Sequence, residues 1–256
     1  YAAHRDNEGD ILAFLPGEAG IRRCAELLEG NLGGTRIFPL YGMLPKEEQR
    51  RAIAPSRPGE RKVVLATSIA ETSLTIEGVR VVVDSGLCRK MIFDRRNGMS
   101  HLETVRISID MADQRSGRAG RTAPGVCYRL WTAGTMQRMQ ACRTPEISDC
   151  DLAPLRLDIA AWGESDMMNL PWITLPPKAN VIQAESLLRS LGAIDGNGRI
   201  TKHGRAMSAL PCHPRIAQML LRADTPELRS LATDIAAILE ERDPMPQDND
   251  ADLRTR

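Results

Sequence analysis

The chain has 256 residues, of which 42% are hydrophobic and 26% are charged, a composition typical of a globular protein with a substantial core and not of a disordered chain. Its 34 Lys and Arg residues nearly balance 33 Asp and Glu residues, so a nucleic-acid-binding function would have to depend on local basic clusters. No apolar run approaches the roughly 18 residues of a membrane span, and the polar N-terminus does not resemble a signal peptide. The six cysteines are scattered without a CxxC pair, which favours reduced thiols, a cytoplasmic protein and no metal centre.

The first 130 residues alternate short apolar runs with helical patterns, which predicts an α/β fold with a parallel sheet. Several of the runs are rich in β-branched residues throughout, as expected for strands covered on both faces. The predicted strands are residues 11–15, 36–40, 62–68, 79–86 and 125–131, and the first two helices are residues 18–29 and 45–54.

A β-hairpin is predicted between the fourth and fifth strands. Residues 89–108 carry Asn97-Gly98 near their centre, and this dipeptide is the strongest short signal for a hairpin turn. A helix over residues 109–119 follows.

After Thr132 the strand patterns nearly vanish and amphipathic helices dominate. Gly-rich residues 196–198 between two short apolar segments indicate a small β-wing over residues 191–201. Pro226, preceded by Thr225, is typical of a capped helix start. We place a domain boundary between residues 140 and 150, and expect the acidic tail from Asp243 to be frayed. The predicted helices are residues 151–162, 180–191, 202–209, 214–223 and 226–242.

The segment QRSGRAGR, residues 114–121, carries the clearest chemical signal. At 100° per residue Gln114, Gly117, Arg118 and Arg121 would share one helix face, whereas Arg115 would point away from it. Glycine inside a helix costs about 1 kcal/mol relative to alanine, so a purely structural helix gains nothing from two of them. We interpret the glycines as leaving this face without side chains, so that a ligand can approach it closely. The guanidinium groups on the same face are suited to phosphate oxygens. A solvated basic helix end is the plainer alternative.

The same segment resembles motif VI of the DEAH-type superfamily 2 helicases, and ATSIAETSLTIEG (66–78) resembles their motif V. Residues 11–17 and 39–49 are similar to motif IV and the segment after it. Residues 150–163, 188–195 and 201–220 are similar to the winged helix and the start of the helical bundle of this family. Their sequence most resembles the bacterial HrpB branch. The resemblance implies a second RecA-like domain over residues 1–142, a winged helix over 143–200 and a truncated bundle over 201–256.

The resemblance also implies roles for motif VI. Arg118 and Arg121 would be arginine fingers that neutralise charge on the γ-phosphate of ATP, which the first RecA-like domain would hold. Gln114 would orient the attacking water or a phosphate oxygen.

In motif V, Thr67 follows a strand, where its hydroxyl and the amides of the next helix could hold an RNA phosphate. Thr72 would assist, and Ser73 would couple RNA to ATP. Simple helix capping is the alternative for these hydroxyls.

Two positions depart from the pattern of many relatives. Glu77 stands where they have Asp, near the expected nucleotide ribose. Ile53 stands where they have an aromatic residue that stacks on adenine. An aliphatic contact lacks stacking strength and polarity, so we expect loose selectivity for the nucleotide base.

The sequence contains neither GxxxxGK[ST] nor a DExH motif, so it has no phosphate cradle or magnesium ligand of that type. We therefore expect this chain to act with the first RecA-like domain of the same protein, which would bring Mg²⁺ with ATP, and to be inactive alone. The expected polymer is RNA, with single-stranded DNA as an alternative. A non-enzymatic adaptor with a winged helix on an α/β platform is the rival function. A nucleotide-binding enzyme of another type would need a GxGxxG after a strand, which is absent.

Overall fold

The computed structural model describes residues 2–5, 7–72, 74–94, 98–121 and 123–241. Contacts divide the chain into two compact units, the first comprising residues 1–92 and 101–144 and the second residues 93–100 and 145–256. Within the described part of the chain, no helix is long and apolar enough to cross a membrane.

The first unit is built on a five-stranded sheet in which every pairing is parallel, and across the sheet the second strand of the chain is followed by the third, the first, the fourth and the seventh. This arrangement confirms the predicted parallel α/β fold. The strands are β1 (Asp10–Phe14), β2 (Arg36–Leu40), β3 (Lys62–Ala66), β4 (Val79–Asp84) and β7 (Val126–Arg129), and the helices of this unit are α1 (Ala2–Arg5), α2 (Glu18–Leu28), α3 (Lys46–Ile53), α4 (Ile109–Ser116) and α5 (Ala133–Met136). The predicted hairpin is present as β5 (Leu87–Asp94) and β6 (Met99–Arg106), although Asn97 of its turn lies outside the described residues.

Side chains of the central strands alternate between two hydrophobic clusters, because successive residues of a strand point to opposite faces. One cluster contains Leu12, Val64 and Val82 and residues of α3. The other contains Ile11, Val63 and Val81 and residues of α2. Both faces of the sheet are therefore covered, as the β-branched runs predicted.

Parallel pairing brings the carboxyl ends of the central strands to one edge of the sheet. Phe14 of β1 pairs with Ala66 of β3 and with Asp84 of β4. Thr67 follows Ala66 at this edge, and its amide donates to the carbonyl of Leu40 over 3.1 Å. Loops at this edge are where α/β sheets position ligand-binding residues.

Three predicted elements differ from the structure. Helix α4 ends at Ser116 with Gly117 as its C-cap, so the glycines of motif VI lie at and beyond the helix end and not inside it. At these positions the two glycines do not carry the cost of about 1 kcal/mol that a glycine inside a helix has. Thr67 is followed by a 3-10 turn, Ser68–Ala70, and not by the expected helix. The wing consists of an antiparallel bridge between Ile194 and Ile200 and not of two strands.

The described residues from 145 onward, which form most of the second unit, are helical, as predicted from the loss of strand patterns. Leu157, Leu188 and Met207 are buried in one of its hydrophobic clusters. The Thr225 side chain accepts from the amide of Leu228 and caps the last helix as expected. Its helices are α6 (Ala153–Trp162), α7 (Lys178–Ser190), α8 (Lys202–Ser208), α9 (Pro214–Arg222) and α10 (Pro226–Glu240), and the predicted frayed tail lies outside the described residues.

Candidate nucleotide and nucleic-acid site

The candidate site is a cleft of about 330 Å³ in the first unit, lined by residues of motifs V and VI. The four residues predicted to share a face line it together with two motif V residues, and the lining is Glu71, Thr72, Gln114, Gly117, Arg118 and Arg121. The chain forms a turn over residues 117–120 after α4, and Arg118 and Arg121 contact residues 71, 74 and 75 of the loop that follows β3. A cleft with two guanidinium groups suits an anionic ligand such as a phosphate.

The two candidate finger arginines differ in their surroundings. Arg118 is buried, with 7% of its surface exposed. Its Nε and Nη2 donate to the carbonyl of Glu71, and its Nη1 donates to the carbonyl of Leu74 over 2.8 Å. Burial, together with the nearby charge of Arg121, lowers the pKa of the Arg118 guanidinium. Arg118 therefore fastens the motif V loop to the end of α4.

Arg121 is exposed, and its Nη1 donates to the Thr75 hydroxyl over 2.9 Å. This one exposed hydrogen bond to a neutral hydroxyl holds the side chain less firmly than the three hydrogen bonds that Arg118 donates. The Arg121 side chain is consequently the freer of the two to turn toward a ligand.

Arg115, which the helical projection placed off the shared face, is completely buried at the carboxyl edge of the sheet. Its Nη1 donates to Asp84 Oδ1 over 2.8 Å, and its Nε lies 3.4 Å from Glu71 Oε2. The guanidinium also stacks 4.8 Å from the ring centre of Phe14. This ion pair was not predicted from the sequence. The signal available was an acidic residue, Asp84, directly after a buried β-branched run, because a buried carboxylate needs a partner.

The motif V residues are only partly described. The Thr67 hydroxyl makes no capping bond to the 3-10 turn that follows it, so plain capping does not account for this residue. Thr72 is exposed, whereas Ser73 lies outside the described residues.

The positions expected near ribose and adenine are separate from the cleft lining. Glu77 is exposed in the loop before β4. Ile53 is half-buried at the end of α3, where it packs against the core cluster that contains Leu12. Among the described residues, no group of three or more His, Cys, Asp or Glu side chains could hold a metal ion.

Comparison with known proteins places these elements in a family. The model described as "Helicase conserved C-terminal domain" matches residues 1–123, and "Helicase associated domain (HA2), winged-helix" matches residues 184–212. The ATP-dependent RNA helicase HrpB of Escherichia coli is 44% identical over 238 residues, which cover 93% of this chain and 29% of HrpB. The chain belongs to the DEAH-type superfamily 2 helicases, in the HrpB branch.

A second helicase and two solved structures are also similar to this chain. The pre-mRNA-splicing factor ATP-dependent RNA helicase prp22 of Schizosaccharomyces pombe is 41% identical over 84% of this chain and 19% of its own length. Two crystal structures of Escherichia coli HrpB match 98% and 97% of the chain at 43% identity, with TM-scores of 0.87 and 0.90, and 31% of the HrpB chain is covered in each. The first unit therefore has the RecA-like fold, and a winged-helix region follows it. The chain spans less than a third of the length of these relatives.

Proposed function

We propose that this chain is the C-terminal motor half of an ATP-dependent RNA helicase that translocates 3′ to 5′ on single-stranded RNA and unwinds duplexes. ATP would bridge this RecA-like domain and a P-loop domain of the same protein, which would also hold Mg²⁺. The cleft formed by motifs V and VI carries the proposal, because it combines two arginines, an amide and a hydroxyl around a space large enough for phosphate groups.

The two arginines have different proposed roles in this cleft. Arg121 is the arginine finger proper, since it can reorient toward the γ-phosphate by giving up one hydrogen bond to Thr75. Arg118 contributes charge but also holds the motif V loop by its bonds to the carbonyls of Glu71 and Leu74. Gln114 contacts the γ-phosphate or the attacking water, and Ile53 and Glu77 border the base and ribose.

The experiment that tests this division compares Arg121→Ala with Arg118→Ala in the complete helicase. Arg121→Ala should lower kcat on the order of 10³-fold, as for other arginine fingers, and leave the thermal unfolding of this chain unchanged. Arg118→Ala should lower kcat and also destabilise the first unit. Arg22→Ala is the matched control, because Arg22 makes an exposed ion pair with Glu18 on α2. Wild-type hydrolysis in Arg121→Ala would refute the finger assignment.

We further propose that motif V separates RNA contact from ATP coupling. Thr67 and Thr72 contact an RNA phosphate without reading a base, so Thr67→Ala should weaken binding evenly across sequences and lower RNA-stimulated ATPase but not the basal rate. A neutral hydroxyl releases few counterions, so the salt dependence of binding should hardly change. Ser73→Ala should instead leave RNA affinity intact and uncouple hydrolysis from unwinding. Identical profiles of the two variants would contradict the separation.

The burial of Arg118 also fits a second candidate function, a binding module without catalysis, in which motif VI merely braces motif V. The discriminating measurement is ATP hydrolysis by this chain alone and joined to its P-loop domain. We expect no turnover by the chain alone and RNA-stimulated turnover by the joined protein. Absence of turnover in the joined protein would favour the binding module. Binding of single-stranded DNA is tested with the same variants.

A further inference from the structure

The segment that ends the first unit folds back onto the start of α4. The carbonyls of Gln140 and Ala141 accept from the amides of Ile109 and Asp110 over 2.9 and 3.1 Å. The first amides of a helix lack partners within the helix, so the segment satisfies donors that would otherwise be unpaired. This attachment places Arg143 beside the helix that carries motif VI.

The Arg143 side chain joins three acceptors, one in motif V, one in motif VI and one in the first turn of α4. Its Nε donates to Asp110 Oδ2 over 3.1 Å, and Asp110 Oδ1 also accepts from the Arg143 amide over 3.1 Å. Its Nη2 donates to Glu71 Oε1 over 3.0 Å and to Gln114 Oε1 over 2.9 Å. Glu71 is buried, with 3% of its surface exposed. Arg143 therefore ties Gln114 of motif VI to a fixed carboxylate of motif V.

This contact fixes the chemical sense of the Gln114 amide. An arginine side chain has donors and no acceptor, so the atom of Gln114 that faces Arg143 must be the carbonyl oxygen. With the oxygen facing Arg143, the two hydrogens of the NH₂ group are the part of the amide that Arg143 does not engage. Phosphate oxygens of a bound nucleotide are acceptors, so an amide held in this sense is matched to them.

We propose that Arg143 is a positioning residue that presents Gln114 to the bound nucleotide as a hydrogen-bond donor to a phosphate oxygen. This inference rests on the proposed ATPase function and chooses between its two roles for Gln114. The "Helicase conserved C-terminal domain" match ends at residue 123, so Arg143 lies outside the residues that this match covers.

The activity arm of the test uses Arg143→Met, Gln114→Ala and the double variant in the complete helicase. Loss of a charge-assisted hydrogen bond should lower kcat about ten- to a hundred-fold in Arg143→Met, while the KM for RNA stays unchanged. The double variant should be no worse than the more impaired single variant, because both remove the same contact. Additive losses would overturn the proposal. Arg129→Met is the control, because Arg129 pairs with Asp113 on the same helix over 2.7 Å and should retain wild-type kcat.

Gln114→Glu separates the donor role from an acceptor role. An ionised carboxylate can still accept from Arg143 but has no proton to donate. We expect Gln114→Glu to lose at least as much kcat as Gln114→Ala. Activity near the wild-type level would show that Gln114 works as an acceptor toward water and would refute the proposal.

A second arm does not depend on hydrolysis. The side-chain NH₂ resonances of Gln114 in the ¹⁵N-labelled chain are identified by their loss in Gln114→Ala. Arg143→Lys keeps the charge but cannot make the same three contacts, so these resonances should shift, whereas Arg129→Met should leave them unchanged. This conservative variant also covers the case in which Arg143→Met fails to fold. Unshifted resonances in Arg143→Lys would overturn the contact itself, while failure of the wild-type helicase to hydrolyse ATP would overturn only the proposed function.

Discussion

The buried pair of Arg115 and Asp84 offers the sharpest test of the structure. Arg115→Met would keep most of the side-chain volume but leave the Asp84 carboxylate, which is fully buried, without its ionic partner. Removing one member of a buried pair typically costs about 3–5 kcal/mol, because an uncompensated charge remains. For a domain of this size that loss lowers the Tm by roughly 6–20 °C.

The assay combines thermal unfolding with hydrogen exchange of peptides from β1 and β4, so that the change is located in the first unit. The control is again Arg129→Met, whose ion pair with Asp113 is solvent-exposed and should contribute less than about 1 kcal/mol. Changing Asp84 to Asn in the Arg115→Met background removes the stranded charge while keeping an acceptor for the Gly86 amide, which donates over 2.9 Å. This double variant should regain part of the stability. Equal losses in Arg115→Met and Arg129→Met would refute the reasoning.

Three further predictions concern the second unit. Gly204→Ala should strongly destabilise it, because an added Cβ would lie 2.0 Å from a backbone carbonyl oxygen, whereas Gly196→Ala, with open space around it, should be tolerated; urea unfolding compares the two. Burial raises the pKa of the Asp151 carboxyl, but hydrogen bonds and nearby positive charges, including those of His213, outweigh burial, and the pKa is lowered. The Nε2 atom of His213 lies 2.9 Å from the carboxylate of Asp151. A lowered carboxyl pKa stabilises the fold above about pH 4 and loses this effect as pH falls further, so the stability difference between wild type and Asp151→Asn should shrink below that pH; a constant difference would contradict it. Thr225→Ala removes the cap of α10 and should cost about 1 kcal/mol, measured by the same urea unfolding.

The sequence by itself determined the architecture, because hydrophobic periodicity and turn residues are local signals. The β-branched runs at residues 62–68 and 79–86 predicted buried parallel strands, and β3 and β4 occupy these positions. The motifs in residues 66–78 and 114–121 indicated the helicase family, which the comparisons support. The grouping of Gln114, Gly117, Arg118 and Arg121 also followed from spacing alone, since these residues are close in the chain, although the helix ends before three of them.

What spacing could not provide was the choice of partners between distant segments. Arg118 and Arg121 are the same amino acid in the same motif, yet their surroundings differ. The fold buries Arg118 against the carbonyls of Glu71 and Leu74 and leaves Arg121 exposed. Arg115 is the off-face residue of a helical projection, and only the parallel register brings Asp84 and Phe14 to it. Such contacts depend on which strand ends lie side by side, and this is a property of the assembled sheet. The contact of Arg143 with Gln114 could not be predicted for the same reason, since the two residues lie 29 positions apart in the chain. They meet because residues 140 and 141 attach to the first turn of α4.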